Sequence, residues 1–485
     1  MLKANKRPSA ERGTFMLRTT RLEADSIGTL EVPATAYYGV QSLRAKQNFP
    51  ITGTRLHPDF IKNLAIIKKA AALTNYKAGR LDFKKSNAII TACDEVISHR
   101  FDDEFIIDAI QGGAGTSANM NVNEVIANRA NELLGGKLGA YDLVHPNDHV
   151  NMAQSTNDVI PTAGKITTLD LIKKLLVEYN HLEKALLTKA KEFDDVIKMG
   201  RTQLQDAVPM RLGQTFHGYA SMVSRDIAHL KKAKKEMYTV NLGGTAIGSA
   251  INTSSYYLKN VVPCLSTLVK YPLVQADDLF DATENLDGFV NVSGTIKTCA
   301  VNLSKMCNDL RLLSSGPKTG LCEISLPAKQ NGSSIMPGKV NPVIPEVVNQ
   351  VAFNIVGNDI TISMAAEAGQ MELNAFEPVV FFNLYESIET LTSAIDTLIK
   401  NCINGITANK EHCLDLVEHS AGIATALCPV LGYKKSAEIA KRSLKTGESI
   451  REIVLKEKLI SQRELDSILD LEAMSKPDSD IKAAM

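Results

Sequence analysis

The stretch PTAGKITTLDLIKKLLVEYNHLEKALLTKAKEF, residues 161–193, decides the fold class. Its apolar residues Ile166, Leu169, Ile172, Leu176, Tyr179, Leu182 and Leu186 recur at spacings of three and four. That period lays one stripe along an α-helix, whereas a strand alternates its faces every second residue. Pro161 suits the first turn of such a helix, where its missing N–H has no intrahelical partner to lose. At 1.5 Å per residue the helix spans about 50 Å. Working outward, Leu212, Phe216, Tyr219, Val223, Ile227, Leu230 and Met237 repeat the stripe. Further long helices are expected over 287–313, 345–371 and 377–403. Five such helices need one another to bury their apolar faces, so the expected fold is mainly α with a central bundle of five long helices. Several stripes are too wide for one neighbour to cover, which points to burial between subunits.

The flanks divide the chain into three domains. Residues 22–155 mix turn signals with modest helices, one behind Pro58, one over 88–96 and one over 120–134 that Gly135 and Gly136 end. The bundle takes residues 156–406. Residues 407–485 read as a small helical domain with short helices near 411–416, 434–442 and 462–469. Residues 1–21 are expected to be a flexible extension: basic, and without the apolar run of a secretory signal.

Composition narrows the function. Among 485 residues, 54 Lys and Arg balance 54 Asp and Glu, which argues against a dedicated nucleic-acid binder. The chain is 44% hydrophobic with 5% aromatics and no Trp, an aliphatic content suited to packed helices. No apolar run is long enough for a membrane helix. The eight cysteines form no C-x-x-C pair, so they read as small buried hydrophobes of a reducing, cytoplasmic compartment.

Four polar segments stand out. Residues 111–121, QGGAGTSANMN, put Thr116, Ser117 and Asn119 behind three glycines at a helix start, where backbone N–H groups can meet an anion or simply form a capped turn. Residues 145–158, HPNDHVNMAQSTND, hold Ser155, Thr156 and Asn157 before the long helix. His145 and His149 stand four apart, but Pro146 works against a shared helical face and hence against a zinc site. Residues 200–209, GRTQLQDAVP, form a polar turn between helices with Thr202 and Gln203. Residues 331–342, NGSSIMPGKVNP, set Ser333, Ser334, Met336, Lys339 and Asn341 between Gly332 and Pro342. Glycines at both ends suit a mobile loop, and Lys339 and Asn341 suit an acidic small molecule. A serine there can serve as a base where an electropositive site lowers its pKa. On residue chemistry alone these segments describe an anion-binding helical enzyme without naming its reaction.

The segment GSSIMPGKVNP at 332–342 resembles the signature of the aspartase/fumarase superfamily, and the other three segments resemble its remaining active-site regions in the same order. The similarity is closest to the aspartase branch, through AYYGV at 36–40, GRTQLQDAVP at 200–209, PVIPEVVNQ at 342–350 and CINGITANK at 402–410. Class II fumarases carry His where this chain has Gln203 and Thr where it has Val208, and an Arg where it has Asp142. The resemblance implies a three-domain protomer assembling into a homotetramer with a helical core and active sites shared between subunits. It implies deamination of L-aspartate to fumarate and ammonia through an aci-carboxylate; fumarate hydration and a non-catalytic structural role are the alternatives. Ser333 would be the general base. Thr116, Ser155, Thr156 and Ser334 would donate to the β-carboxylate, Lys339 and Asn341 would hold the α-carboxylate, and Asn157, Thr202 and Gln203 would surround the amino group. Met336 would join them at the substrate, and Glu346 matches an acidic residue that pairs with the fumarase His. No organic cofactor, membrane or nucleic-acid partner is implied. Some members respond to a divalent cation, though no ligand cluster stands out in the sequence.

Overall fold

In the computed structural model, which describes residues 20–475, helices dominate. Residues 1–19 of the expected extension lie outside the described residues, and Thr20 and Arg21 open a strand, β1 (Thr20–Asp25), paired antiparallel with β2 (Gly28–Pro33). Then follow α1 (Val40–Asn48), α2 (Pro58–Lys77), α3 (Phe83–Ile97) and α4 (Thr116–Leu133). The five expected long helices are α5 (Thr156–Glu192), α6 (Leu212–Ala233), α9 (Asp287–Leu313), α10 (Val343–Glu367) and α11 (Glu377–Asn401). Between α6 and α9 lie α7 (Ser255–Val269) and the short α8 (Asp281–Glu284). At the C-terminal end come α12 (Lys410–Glu418), α13 (Cys428–Thr446, kinked at Gly432), α14 (Ile450–Lys456) and α15 (Gln462–Ile468).

Contacts group the chain into two compact units. The first comprises residues up to 167, 238–286 and 365–382; the second comprises 168–237, 287–364 and 383 onward.

Several ends shift by a few residues, and three differences from the sequence expectation have a visible reason. Helix α5 starts at Thr156, so Pro161 lies in its second turn rather than its first. The carbonyl of Asn157, which Pro161 cannot serve, accepts instead from Asn241 Nδ2 at 3.0 Å. Helix α10 ends at Glu367 rather than 371 because Asn374 Nδ2 donates to the carbonyls of Ala365 and Ala366 and satisfies the helix end. The polar turn expected at 200–209 is a β-hairpin, β3 (Ile197–Thr202) with β4 (Gln205–Arg211).

In the second unit, polar side chains buried between long helices pin their register. Asn349 of α10 donates to Ser304 of α9, Ser293 of α9 to Asp359 of α10, and Asn358 of α10 to Ser387 of α11. Asp226 of α6 is fully buried; Oδ1 accepts from Asn302 of α9 at 2.7 Å and Oδ2 has no partner. Burial pushes its pKa from 3.8 up to about 7, against the hydrogen bond from Asn302. A folded-state pKa above the unfolded value means this site's stabilisation is present below pH 4 and lost as pH rises to about 7. Asp226→Asn is therefore expected to match the parent at pH 4 and exceed its stability at pH 8 by roughly 1–2 kcal/mol. Denaturant titrations at the two pH values check this; equal gains at both would refute it.

The C-terminal helices close over their own core of Val417, Ile423, Leu427, Ile439, Ile450, Ile453, Val454 and Leu465, with Met199 of β3. Ser449–Glu452 and Ser461–Glu464 are reciprocal capping boxes that start α14 and α15.

Candidate active site

Within the first unit the glycine-rich segment ends in three consecutive left-handed residues, Gly113, Ala114 and Gly115. A Cβ on Gly115 would lie 3.0 Å from the side chain of Ile160, so glycine is what lets the start of α4 approach α5. Thr116 is exposed in the first turn of α4, while Thr156 and Asn157 open α5. Asn119 Nδ2 donates to Thr156 Oγ1 at 3.3 Å. With that lone pair occupied, the hydroxyl proton of Thr156 is free to point elsewhere. Ser155 Oγ likewise accepts from the N–H of Asn157 at 3.2 Å, leaving its own proton to donate. Two helix N-termini and several hydroxyl donors thus lie in one unit, an arrangement whose N–H groups and hydroxyls are suited to an anion.

Beneath it lies a group that the sequence reading missed. Lys68 of α2 is fully buried and donates to Asn119 Oδ1 at 2.7 Å and Asn151 Oδ1 at 2.8 Å. Asn123 Nδ2 also donates to Asn151 Oδ1. Burial lowers the Lys68 pKa to about 7, with Asp158 pulling the other way. Asp158, also fully buried, is raised to about 6 by burial against three backbone hydrogen bonds. The available signal was position: Lys68 falls on the same face of α2 as Ile61, Leu64 and Ala72, where a solvated lysine has no place.

In the second unit, residues 332–341 form a closed loop. The N–H of Gly332 donates to Lys339 O at 2.8 Å, and Asn341 Nδ2 donates to Gly332 O at 2.8 Å. A Cβ on Gly332 would meet Lys339 O at 2.6 Å, so this closure requires glycine. Asn341 thus staples the loop with one amide proton. Ser333 Oγ accepts from the N–H groups of Ile335 and Met336 at 3.2 and 3.1 Å. Two N–H dipoles aimed at one hydroxyl oxygen favour negative charge on it. Ser334, Met336 and Lys339 stand exposed on the same loop.

Thr202 ends β3, and Gln203 and Leu204 make the two-residue hairpin turn with φ of 53° and 64°. Left-handed conformation at both central positions is the turn that matches strand twist, but it normally selects Asn or Gly. A glutamine held there is a local strain of the kind found at functional sites. Behind the tip, Arg201 Nη1 donates to Glu323 Oε1 at 2.7 Å, and Lys198 Nζ lies 3.2 Å from Glu323 Oε2. Glu323 is fully buried.

The sequence-derived residues therefore fall in two sets. Thr116, Ser155, Thr156 and Asn157 gather in the first unit; Thr202, Gln203 and the loop residues Ser333, Ser334, Met336, Lys339 and Asn341 belong to the second. Glu346, in the first turn of α10, lies 4.0 Å from Arg311. His145 and His149 serve their own turn: His145 Nδ1 accepts from the N–H groups of Asn147 and Asp148, and His149 Nδ1 from the N–H of His145. Among the described residues no group of three or more His, Cys, Asp or Glu side chains is placed to hold a metal ion.

Comparison with known proteins adds to this geometry. The lyase family pattern matches residues 28–357, and the fumarase C C-terminal pattern matches residues 423–476. Aspartate ammonia-lyase of Bacillus subtilis is 51% identical over 94% of this chain and 96% of its own length. The enzyme of the same name from Helicobacter pylori is 52% identical (94% and 98%), and that from Escherichia coli 48% identical (95% and 97%). Among solved structures, a fumarate lyase:delta crystallin from Brucella melitensis bound to cobalt superposes with a TM-score of 0.92 at 48% identity, covering 95% of this chain and all of that one. A class II fumarase from Schistosoma mansoni gives the same TM-score and coverage at 37% identity.

Proposed function

We infer the activity from a plain premise: the chain belongs to the lyase family, whose pattern spans 28–357, and it is an aspartate ammonia-lyase that interconverts L-aspartate with fumarate and ammonia. The observation that carries the reading is the agreement of overall similarity with the site. Aspartate ammonia-lyases match at about half identity over nearly the whole chain, a class II fumarase matches at 37%, and Gln203 stands where class II fumarases have His.

We propose the following division of roles. Ser333 Oγ removes the Cβ proton, and the electron pair moves into the β-carboxylate as an aci-carboxylate. Thr116, Ser155, Thr156 and Ser334 donate to its oxygens. Preorganised donors at developing charge are usually the largest catalytic term, each worth about 10²–10³ in rate. The Cα–N bond then breaks, ammonia departs with the bonding pair, and fumarate remains. Lys339 and the free amide proton of Asn341 hold the α-carboxylate. Asn157, Thr202 and Gln203 face the amino group, and Met336 lies along the substrate. The two N–H groups on Ser333 Oγ support the base assignment, since they stabilise the alkoxide that removes a carbon-bound proton. The substrate amine enters as an ammonium with its three protons in place, so C–N cleavage releases ammonia without a proton donor, and Gln203, which does not titrate near neutral pH, has none to supply.

We also propose a homotetramer with shared sites. Supporting it, Phe353, Ile360 and Met364 of α10 are 58–68% exposed on one helix face, and a Cβ on Gly357 between them would meet open space. An apolar stripe of that kind on a long helix is what a second copy covers. The reading uses side-chain chemistry throughout and calls for no organic cofactor, while remaining compatible with activation by a divalent cation and with no nucleic-acid or membrane partner. A cytoplasmic location agrees with eight free cysteines and with the finding that no single described helix is long and apolar enough to cross a membrane.

The test is fumarate absorbance on adding L-aspartate or L-malate to the purified protein. Fumarate from aspartate is expected; turnover of malate without aspartate would replace this reading with a hydratase.

A further inference from the structure

Asp158 follows the polar turn 155–157 in sequence, and none of the roles assigned above uses it. Its carboxylate is fully buried. Oδ1 accepts from the N–H of Ser155 at 2.8 Å, which by itself is half of an ordinary helix-start capping arrangement. Capping needs one oxygen only. Oδ2 instead reaches a distant segment and accepts from the N–H groups of Gly243 and Thr245 at 2.9 and 3.1 Å. That segment is built from left-handed residues, with φ of 102° at Gly243 and 56° at Thr245, a conformation that turns successive N–H groups toward one acceptor.

The same segment holds Asn157 from two sides. Asn241 Nδ2 donates to the Asn157 carbonyl at 3.0 Å, and Asn157 Nδ2 donates to Ala246 O at 2.7 Å. Only the NH₂ end of an amide can face a carbonyl, so this contact fixes which way the Asn157 side chain is turned. Its Oδ1 is left as the free end, and Oδ1 is an acceptor. An acceptor suits the ammonium group of an amino-acid substrate.

We propose that Asp158 is a positioning residue for substrate amine recognition: by tying the 155–157 turn to the 243–246 segment it sets the amide of Asn157 with Oδ1 toward the amino group. The inference rests on the aspartase reading and deepens it. Asp158 touches no substrate. It holds Ala246 O where Asn157 must donate to it, and the amine contact follows.

The test is Asp158→Asn, assayed in the addition direction with fumarate and ammonia varied separately. An asparagine places at most one acceptor oxygen where the carboxylate has two, so the 243–246 segment loosens. The expected result is a KM for ammonia raised about tenfold, the scale of one charge-assisted hydrogen bond, with the KM for fumarate within about twofold of the parent. A merely structural residue would lower active-enzyme concentration and leave both KM values alone. Unchanged KM values, or both rising together, overturn the inference. If Asp158→Asn does not fold, Gln275→Ala takes its place. Gln275 Nε2 donates to the carbonyls of Leu242 and Leu258 and supports the same segment from its other side. It is expected to show the same selectivity for ammonia at about threefold, and absence of that selectivity overturns the inference equally. Parent protein that forms no fumarate from aspartate would defeat the aspartase reading itself, an outcome visible before any variant is made.

Discussion

Ser333→Ala is expected to lower kcat for aspartate deamination by about 10³–10⁴ while changing the KM for aspartate by no more than a few-fold. The reasoning starts from the weakness of serine as a base. A free hydroxyl does not ionise near neutral pH, so a serine that takes a proton from carbon needs its alkoxide stabilised. In the loop 332–341 the N–H groups of Ile335 and Met336 both point at Ser333 Oγ. Hydrogen bonds to the charged form lower a pKa, and Lys339 adds a positive charge on the same loop. Alanine removes the oxygen but not the loop, because closure depends on Gly332, Lys339 O and Asn341 rather than on Ser333. The two freed N–H groups lie at exposed positions and can be hydrated. Rate should therefore fall without loss of fold or binding. Initial rates of fumarate formation, with circular dichroism of the variant, measure this. A variant retaining parental kcat would remove Ser333 from the role of base.

How much of this was legible in the sequence depends on how local the cause is. The period of three and four in 161–193 needs only the chain itself, and α5 runs through it as far as Glu192. Its start lies five residues before Pro161, because the contact that tolerates proline in the second turn comes from Asn241, far away in sequence. The hairpin at 197–211 is hidden because a buried Lys198 breaks the alternation that marks a strand and because its turn is Gln203–Leu204 rather than the Asn-Gly that signals one. The serines, threonines and Lys339 could be picked out because dense polar runs near glycines are unusual. Asp158 and Glu323 could not, because each acts through a partner that sequence distance conceals, Gly243 for Asp158 and Arg201 for Glu323; Lys68 is marked by its place on an apolar helix face, but its partners Asn119 and Asn151 are not. The side chains proposed to face the substrate were readable; the groups that hold them were not.

Glu323 gives the largest expected loss of stability. Its carboxylate is fully buried, with Arg201 at 2.7 Å on one oxygen and Lys198 at 3.2 Å from the other, and both cations are themselves largely shielded from water. The backbone around it is anchored independently: its carbonyl accepts from the N–H of Asn409 at 3.0 Å and from Cys413 Sγ at 3.4 Å. Glu323→Ala therefore leaves the main chain in place and deletes the anion shared by two shielded cations, leaving Arg201 only the half-exposed Asp206, 4.0 Å from its Nε. Breaking a buried pair by removing one partner typically costs about 3–5 kcal/mol, because the remaining charge has lost its compensation. Here two are left. The loss should be felt next at the hairpin tip, since Arg201 directly precedes Thr202 and Gln203 and its guanidinium is anchored on Glu323. A shift of about 1 Å in a substrate-positioning group can cost roughly 10² in rate. In the folded fraction of the variant, kcat/KM for aspartate is thus expected to fall by about 10- to 100-fold. Glu323→Gln keeps the shape and one acceptor but not the charge, so it should fall between parent and alanine variant in both respects. Denaturant midpoints with active-site-normalised kinetics separate the two effects. Parental stability in the alanine variant would show that the two cations find other partners, and parental kcat/KM alongside lowered stability would show that the hairpin tip holds its geometry without the ion pair.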